Sequence, residues 1–251
     1  MVVRLLNEER TRKGSKGLSM ENNQTPSLHL SIQYGLERVT AMLDRGADVN
    51  EQSPGPGLKG TTPLMVASML RKADVVRLML ERGAQVNAVD ENLYTPLHWA
   101  ASSPPAFPVV QALLESGALV NAIEEDGATP LMLAAIAGDT NVVRALLAHS
   151  AEVDRKDFGG NTALISAAAC GRADCVQILL DYGADVEAVA AGCGGLTALH
   201  FAACNGRLGC VELLLEQGAN IHSLDSRGQT PVDLARKRGE SAVIEMLSRA
   251  A

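Results

Sequence analysis

One short phrase recurs along the chain at a nearly constant interval. It opens with Thr and continues with Pro or Ala and then Leu or Val, and it starts at Thr62, Thr95, Thr129, Thr162, Thr197 and Thr230. Successive starts lie 33, 34, 33, 35 and 33 residues apart. Self-similarity at such a period is typical of repeat architectures, in which each unit packs only against its neighbours. The sequence therefore predicts a stack of similar units rather than one central core.

Each period contains the signals for two short helices and a turn, and the unit that starts at Thr162 shows them in order. The Thr hydroxyl can accept a backbone amide at a helix start, and most units continue with Pro at the first helical position. The Ala pair at 167–168 lets helices approach closely, and Gly171 supports a tight turn. The apolar run at 178–180 is suited to burial, and Gly183 favours a left-handed residue that ends the second helix. The Asp-, Asn- and Gly-rich remainder predicts a projecting β-turn.

This order of residues resembles the ankyrin repeat, from about residue 23 to residue 251. The resemblance implies an all-α solenoid of stacked helix-turn-helix units with projecting β-turns. We predict about seven units, at approximately 23–50, 58–87, 91–121, 125–154, 158–187, 193–222 and 226–251. Two interpretations of residues 1–22 remain open, a leader or a capping helix, because the apolar run at 2–6 resembles a second-helix phrase.

Three insertions and one substitution interrupt the period. Residues 51–60 lengthen the first connection, 102–105 place two prolines between helices, and 188–195 add two residues to one projecting turn. Insertions in repeat arrays fall in loops, often on the binding side. Ser150 occupies the position that Gly holds at the end of other second helices, so we expect Ser150 to adopt left-handed backbone geometry.

Composition excludes several classes of partner and compartment. The net charge of −7 disfavours a surface that binds nucleic acid or anionic lipid. No run of about eighteen apolar residues predicts a membrane span, and the first ten residues do not resemble a signal peptide. The chain has five cysteines, at Cys170, Cys175, Cys193, Cys204 and Cys210. An odd number of cysteines is typical of reduced thiols, so we expect a cytoplasmic or nuclear protein.

The residues with chemical potential fit structural roles better than catalytic ones. His98 and His200 occupy equivalent positions, and in the ankyrin family this histidine braces the turns through local hydrogen bonds. Cys175 and Cys210 replace valines of other units and are expected in the core. There is no C-x-x-C pair and no phosphate-binding glycine motif, so we expect neither a metal nor a cofactor and predict that the protein is not an enzyme.

The turns and first helices of such a stack line one curved face, where ankyrin proteins usually bind partners. Trp99 is expected to be partly accessible from this face and is placed among its contacts, although it could instead fill a gap between helices. The predicted partner-binding positions are Asp90, Glu91, Tyr94, Trp99, Ser102, Ser103, Glu125, Asp126, Ile136, Phe158, Asn161, Asn205 and Arg227. The middle of the face is acidic, which would steer a basic segment of the partner.

The function predicted from these features is protein-protein interaction by an adaptor, scaffold or substrate-recognition subunit that is a monomer by itself. The alternative is a ligand- or nucleotide-binding regulatory domain, in which Tyr94 and Trp99 would stack against a ring. A phosphate-bearing ligand would need clustered cations, and the middle of the face has none.

Overall fold

The computed structural model describes residues 27–54 and 58–250, so the predicted leader or capping helix at 1–22 lies outside the described residues. Within these ranges the chain forms successive pairs of short helices. In chain order they are α1 (Leu28–Ser31), α2 (Leu36–Asp44), α3 (Pro63–Met69), α4 (Ala73–Glu81), α5 (Pro96–Ala101), α6 (Phe107–Glu115), α7 (Pro130–Ala137), α8 (Thr140–Ala148), α9 (Ala163–Cys170), α10 (Ala173–Asp181), α11 (Ala198–Cys204), α12 (Leu208–Glu216), α13 (Pro231–Arg238) and α14 (Ser241–Ala250). A 3-10 turn at Ile32–Tyr34 joins α1 to α2.

Odd-numbered helices are the first of each pair and pack against the first helices of neighbouring units, and the even-numbered second helices do the same. Their shared interior is built from small and aliphatic side chains. Alanine pairs such as those at 134–135 and 167–168 are fully buried between first helices, where a larger residue would force the helices apart. The predicted all-α stack of helix-turn-helix units is confirmed.

The recurring Thr performs the capping function that its position predicts. In each first helix from α3 to α13 the Thr side chain accepts a hydrogen bond from the backbone amide three residues later. At Thr129, for example, Oγ1 lies 3.3 Å from the Met132 amide nitrogen. This bond satisfies one of the amides that a helix start leaves without a partner.

Three histidines join neighbouring units through their imidazole rings. Nε2 of His98 lies 3.2 Å from the carbonyl oxygen of Ala128, and Nε2 of His200 lies 3.2 Å from that of Gln229. The predicted bracing role of these two residues is confirmed. His29 makes the same bridge in the first unit, with Nε2 2.8 Å from the carbonyl oxygen of Thr61.

The first unit lacks a capping Thr, and Glu51 replaces it from the following connection. Oε1 of Glu51 accepts hydrogen bonds from the Leu28 amide at 2.9 Å and from the Ser27 hydroxyl at 3.0 Å. The same oxygen lies 3.0 Å from Nδ1 of His29. Residues more than 20 positions apart therefore complete this helix start.

The enlarged turn at 188–195 contains a structure that its length did not predict. Val189–Ala190 and Leu196–Thr197 pair as a short antiparallel ladder, β1 and β2, around a 3-10 turn at Ala191–Cys193. The extra residues therefore extend outward as a small hairpin. Over the described ranges, every helix is too short or too polar to cross a lipid bilayer.

Ser150 has a φ of 65°, which confirms the left-handed geometry expected from its position. Replacing it with Gly should raise the free energy of unfolding by about 1 kcal/mol, because glycine adopts this conformation without a steric penalty. Urea denaturation of the two proteins measures the change. The reverse substitution, Gly183→Ser, should lower stability by a similar amount, because Gly183 has a φ of 83° and open space around it. A lower midpoint for Ser150→Gly would show that the hydroxyl itself stabilises this turn.

Candidate partner-binding face

The turns between units project from the stack and are joined to each other by backbone hydrogen bonds. The amides of Glu91, Glu125, Phe158, Gly192 and Ser226 each donate to a carbonyl oxygen of the preceding turn, over 2.8 to 3.4 Å. The turns at 58–61, 90–94, 124–128, 157–161, 190–196 and 225–229 therefore form one continuous ridge, which we call the turn row.

The turns at 90–94, 124–128 and 225–229, which we call turns three, four and seven after the repeat units that they open, are each shaped by a carboxylate at the first position. Oδ1 of Asp90 accepts the amides of Asn92 at 3.0 Å and Tyr94 at 2.9 Å, and Oε1 of Glu124 accepts the corresponding two amides of turn four. Oδ1 of Asp225 repeats the arrangement in turn seven, where the Gln229 amide holds the pKa of this carboxyl below its usual value. These carboxylates organise the backbone of the turn row.

The expectation that Asp90 is exposed on this face is wrong. Its side chain is buried, with 6% of the residue exposed. Oδ2 accepts a hydrogen bond from the indole Nε1 of Trp99 at 3.0 Å, in addition to the two amides on Oδ1. Because each carboxylate oxygen is already committed inside the protein, Asp90 positions turn three and Trp99 rather than a partner.

Tyr94 and Trp99 lie together beside turn three. Their ring centroids are 5.4 Å apart and the rings are tilted by 48°, an arrangement that aromatic pairs favour. Both residues are partly buried. Burial raises the pKa of the Tyr94 phenol, and the carboxylates of Glu124, Asp90 and Asp126 raise it further. The phenol therefore keeps its proton at neutral pH, and it adds a polar group to this apolar patch.

The middle of the turn row presents carboxylates beside an exposed aromatic ring. Glu125 and Asp126 are exposed, and neither has an ion-pair partner within the described part of the chain. Phe158 is 74% exposed. A Cβ at Gly127 would lie 2.9 Å from Cδ1 of the Phe158 ring, so the ring packs directly on this glycine. Glu91 lies one turn earlier, 3.6 Å from Nζ of Lys59.

The other predicted positions divide between first-helix ends and the far end of the turn row. Ser102, Ile136 and Asn205 are exposed where first helices end, while Ser103 is partly buried there. Asn161 is partly buried, and its side-chain amide donates to both carboxylate oxygens of Asp157. Asn205 donates to the carbonyl oxygen of Ala169 at 3.2 Å. Arg227 is exposed in turn seven, beyond the enlarged turn.

Sequence reasoning missed an exposed residue of turn three, Leu93. It is 47% exposed and has a φ of 63°. The signal that could have identified it is the glycine found at the same position, two residues before the capping Thr, in the other turns.

The five cysteines differ in their exposure to solvent. Cys175 and Cys210 are buried in second helices, as predicted, and burial raises the pKa of each thiol to about 11. Cys193 is exposed in the enlarged turn. Across residues 27–54 and 58–250, His, Cys, Asp and Glu side chains do not gather in groups of three or more that could hold a metal ion.

The chain matches a family model described as "Ankyrin repeats (3 copies)" over residues 28–124, 105–190 and 187–251. The human ASB11 ankyrin repeat domain superposes with a TM-score of 0.78 at 29% identity, over 90% of this chain and 98% of that one. The ankyrin repeat domain of Bcl-3, a member of the IkappaB protein family, superposes with a TM-score of 0.72 at 30% identity, over 90% and 100% of the two chains.

A curated relative is similar over a shorter stretch. Palmitoyltransferase Hip14 of Drosophila melanogaster is 40% identical over 72 residues, which are 28% of this chain. The matched residues are 11% of Hip14, so this chain spans about a tenth of that enzyme. The similarity is therefore limited to a short stretch of both proteins.

Proposed function

The chain belongs to the ankyrin-repeat family, and from this premise we propose that it acts as an adaptor, scaffold or substrate-recognition subunit whose partner protein docks on the turn row. Ankyrin repeats are generally protein-protein interaction modules. The observation that carries the proposal is the continuous ridge of backbone-linked turns with exposed side chains at its middle. One partner could contact several successive units of such a ridge. Because the turns are already ordered, binding would need little rearrangement.

Charge supports a partner with a basic segment. Exposed carboxylates at Glu91, Glu125 and Asp126 lie in neighbouring turns, and only Glu91 has a cation within 4 Å among the described side chains. Opposite charges on two proteins accelerate their association, and they disfavour binding of acidic proteins at the same surface. A nucleotide or other phosphate-bearing ligand at Tyr94 would meet these same carboxylates, which disfavours the ligand-binding alternative.

Tyr94, Trp99 and Phe158 supply the apolar part of the proposed contact. Aromatic residues at the centre of an interface contribute much of the binding free energy, while peripheral charges act mainly on association. Ankyrin-repeat domains are typically non-catalytic, and the proposed role of this chain requires binding alone.

A kinetic experiment tests this division of roles. A partner is first captured from lysate by the wild-type protein, and its binding to the triple variant Glu91→Lys, Glu125→Lys, Asp126→Lys is then compared with its binding to the wild type. We expect the triple variant to associate more slowly and with a weaker dependence on salt, because long-range attraction is removed. Tyr94→Ala should instead accelerate dissociation, by an amount corresponding to about 1–2 kcal/mol. Surface-immobilised binding at two salt concentrations measures both rates.

Matched controls lie on the second helices, on the other side of each unit. Arg144 is exposed on α8, and Gln177 on α10 donates to Asp181 at 2.7 Å. Arg144→Glu and Gln177→Lys change charge without touching the turn row, so both should leave the kinetics unchanged. Loss of binding in these two variants, with normal binding in the turn variants, would place the partner on the opposite side and refute the proposal.

A further inference from the structure

Leu93 occupies a position that is otherwise reserved for glycine. The residue two positions before the capping Thr is Gly60, Gly127, Gly160, Gly195 or Gly228 in the other turns. All five glycines have left-handed backbones, with φ between 71° and 82°. Leu93 adopts the same conformation, with φ of 63°. The turn geometry is thus preserved, although leucine is disfavoured in it.

In two of the other turns a side chain at this position would be crowded by the following turn. A Cβ at Gly60 would lie 3.1 Å from the amide nitrogen of Glu91, and one at Gly160 would lie 2.7 Å from that of Ala191. Leucine therefore carries a conformational penalty that glycine would not carry. Its side chain nevertheless leaves 47% of the residue exposed. Strain that folding does not require is a known mark of functional positions.

The surroundings of Leu93 indicate what it contacts. Asn92, its neighbour in the chain, accepts the Glu125 amide at 3.0 Å, so Leu93 lies beside the acidic middle of the turn row. Phe158, on the far side of turn four, is exposed and packs on Gly127. Two exposed apolar side chains therefore flank the carboxylates of Glu125 and Asp126.

We propose that Leu93 is an apolar anchor that, together with Phe158, selects a partner segment in which basic side chains alternate with apolar ones. The proposal rests on the turn row being the binding face. Apolar side chains of the partner would cover Leu93 and Phe158, and a basic side chain between them would face Glu125 and Asp126. Leucine is retained at this position because its side chain gains contact area in the complex that glycine would not provide.

Three synthetic peptides serve as probes for this chemistry. The first alternates Lys and Leu, the second replaces each Leu with Ser, and the third replaces each Lys with Glu. The Lys-Leu peptide should bind the wild-type protein roughly tenfold more tightly than the Lys-Ser peptide, and the Glu-Leu peptide should bind weakest. Fluorescence anisotropy of labelled peptides measures the dissociation constants. Equal affinity for Lys-Leu and Lys-Ser on the wild type would overturn the anchor, and failure of both to bind would overturn the basic partner.

The decisive variant is Leu93→Gly, and its matched control is Arg71→Gly. Arg71 is an exposed residue with φ of 57°, and it stands in a turn between helices where unit four has Gly138. Both substitutions relieve left-handed strain, so both should raise the urea midpoint, which shows that the fold is intact. Leu93→Gly should reduce the preference for Lys-Leu over Lys-Ser about threefold, because Phe158 then remains as the other proposed anchor, whereas Arg71→Gly should leave the preference unchanged.

Two variants distinguish failure of the Leu93 anchor from failure of the acidic binding face. If Leu93→Gly keeps the preference while the triple charge reversal weakens both Lys peptides, the anchor is wrong and the acidic binding face stands. If the charge reversal leaves both affinities unchanged, the turn row does not attract basic segments, and the inference falls with the proposed function.

Discussion

Acidification from pH 7 to pH 5 is expected to lower the free energy of unfolding by about 2 kcal/mol through His98 alone. Burial lowers the pKa of His98 to about 4, from a usual value near 6.5. The ring accepts the Thr95 amide on Nδ1 at 3.2 Å and lies 3.2 Å from the Ala128 carbonyl through Nε2. A proton on Nδ1 would face an amide donor, so the folded protein holds the ring neutral.

Stability falls with decreasing pH because the pKa of His98 is lower in the folded protein than in the unfolded chain. The unfolded chain binds a proton as the pH falls through 6.5, whereas the folded chain does so only near pH 4. The contribution of His98 is therefore complete above pH 6.5 and is lost progressively between pH 6.5 and pH 4. Burial also lowers the pKa of His200, which adds to the loss in the same direction.

Urea denaturation at pH 7 and pH 5 measures this loss, and two variants assign it. His98→Gln keeps an acceptor and a donor of similar reach, so it should unfold with a smaller difference between the two pH values. His222→Gln is the matched control, because His222 is exposed and its replacement should leave the difference unchanged. The same difference in His98→Gln as in the wild type would assign the pH dependence to other groups.

Removing the Asp90 carboxylate is expected to lower the free energy of unfolding by about 2–3 kcal/mol, since three hydrogen bonds are lost at a buried position. Asp90→Ala leaves the amides of Asn92 and Tyr94 and the indole of Trp99 without this acceptor. The turn should loosen, and the indole environment should change with it. Because the chain contains one Trp, its fluorescence reports directly on this site during urea denaturation.

The adjacent carboxylate provides the control for Asp90. Glu91 is exposed, and its contact with Lys59 is a surface ion pair of the kind that contributes little. Glu91→Ala should therefore change stability by less than about 0.5 kcal/mol. Comparable losses in the two alanine variants would mean that Asp90 does not organise turn three. In the binding assay, Asp90→Ala should also weaken the Lys-Leu peptide, because Leu93 and Tyr94 depend on the same turn.

The fold could be predicted from the sequence because its determinants are local and repeated. The Thr at the start of each first helix from α3 to α13 accepts an amide three residues away, and glycines at fixed positions permit left-handed backbone. Ser150 illustrates how far this extends, since its position in the period sufficed to predict its backbone conformation. Because the same local signals recur in unit after unit, their period was sufficient to predict the stacked architecture.

Only the tertiary structure decided which polar side chains are available to a partner. Asp90 and Glu91 are adjacent acids of one turn, yet one is buried beneath Trp99 and the other faces solvent. Glu51 similarly caps a helix that begins 23 residues earlier. These outcomes depend on contacts between segments that the period does not specify. The sequence determined the stack, and the packing of each turn on its neighbours decided which residues line its exposed face.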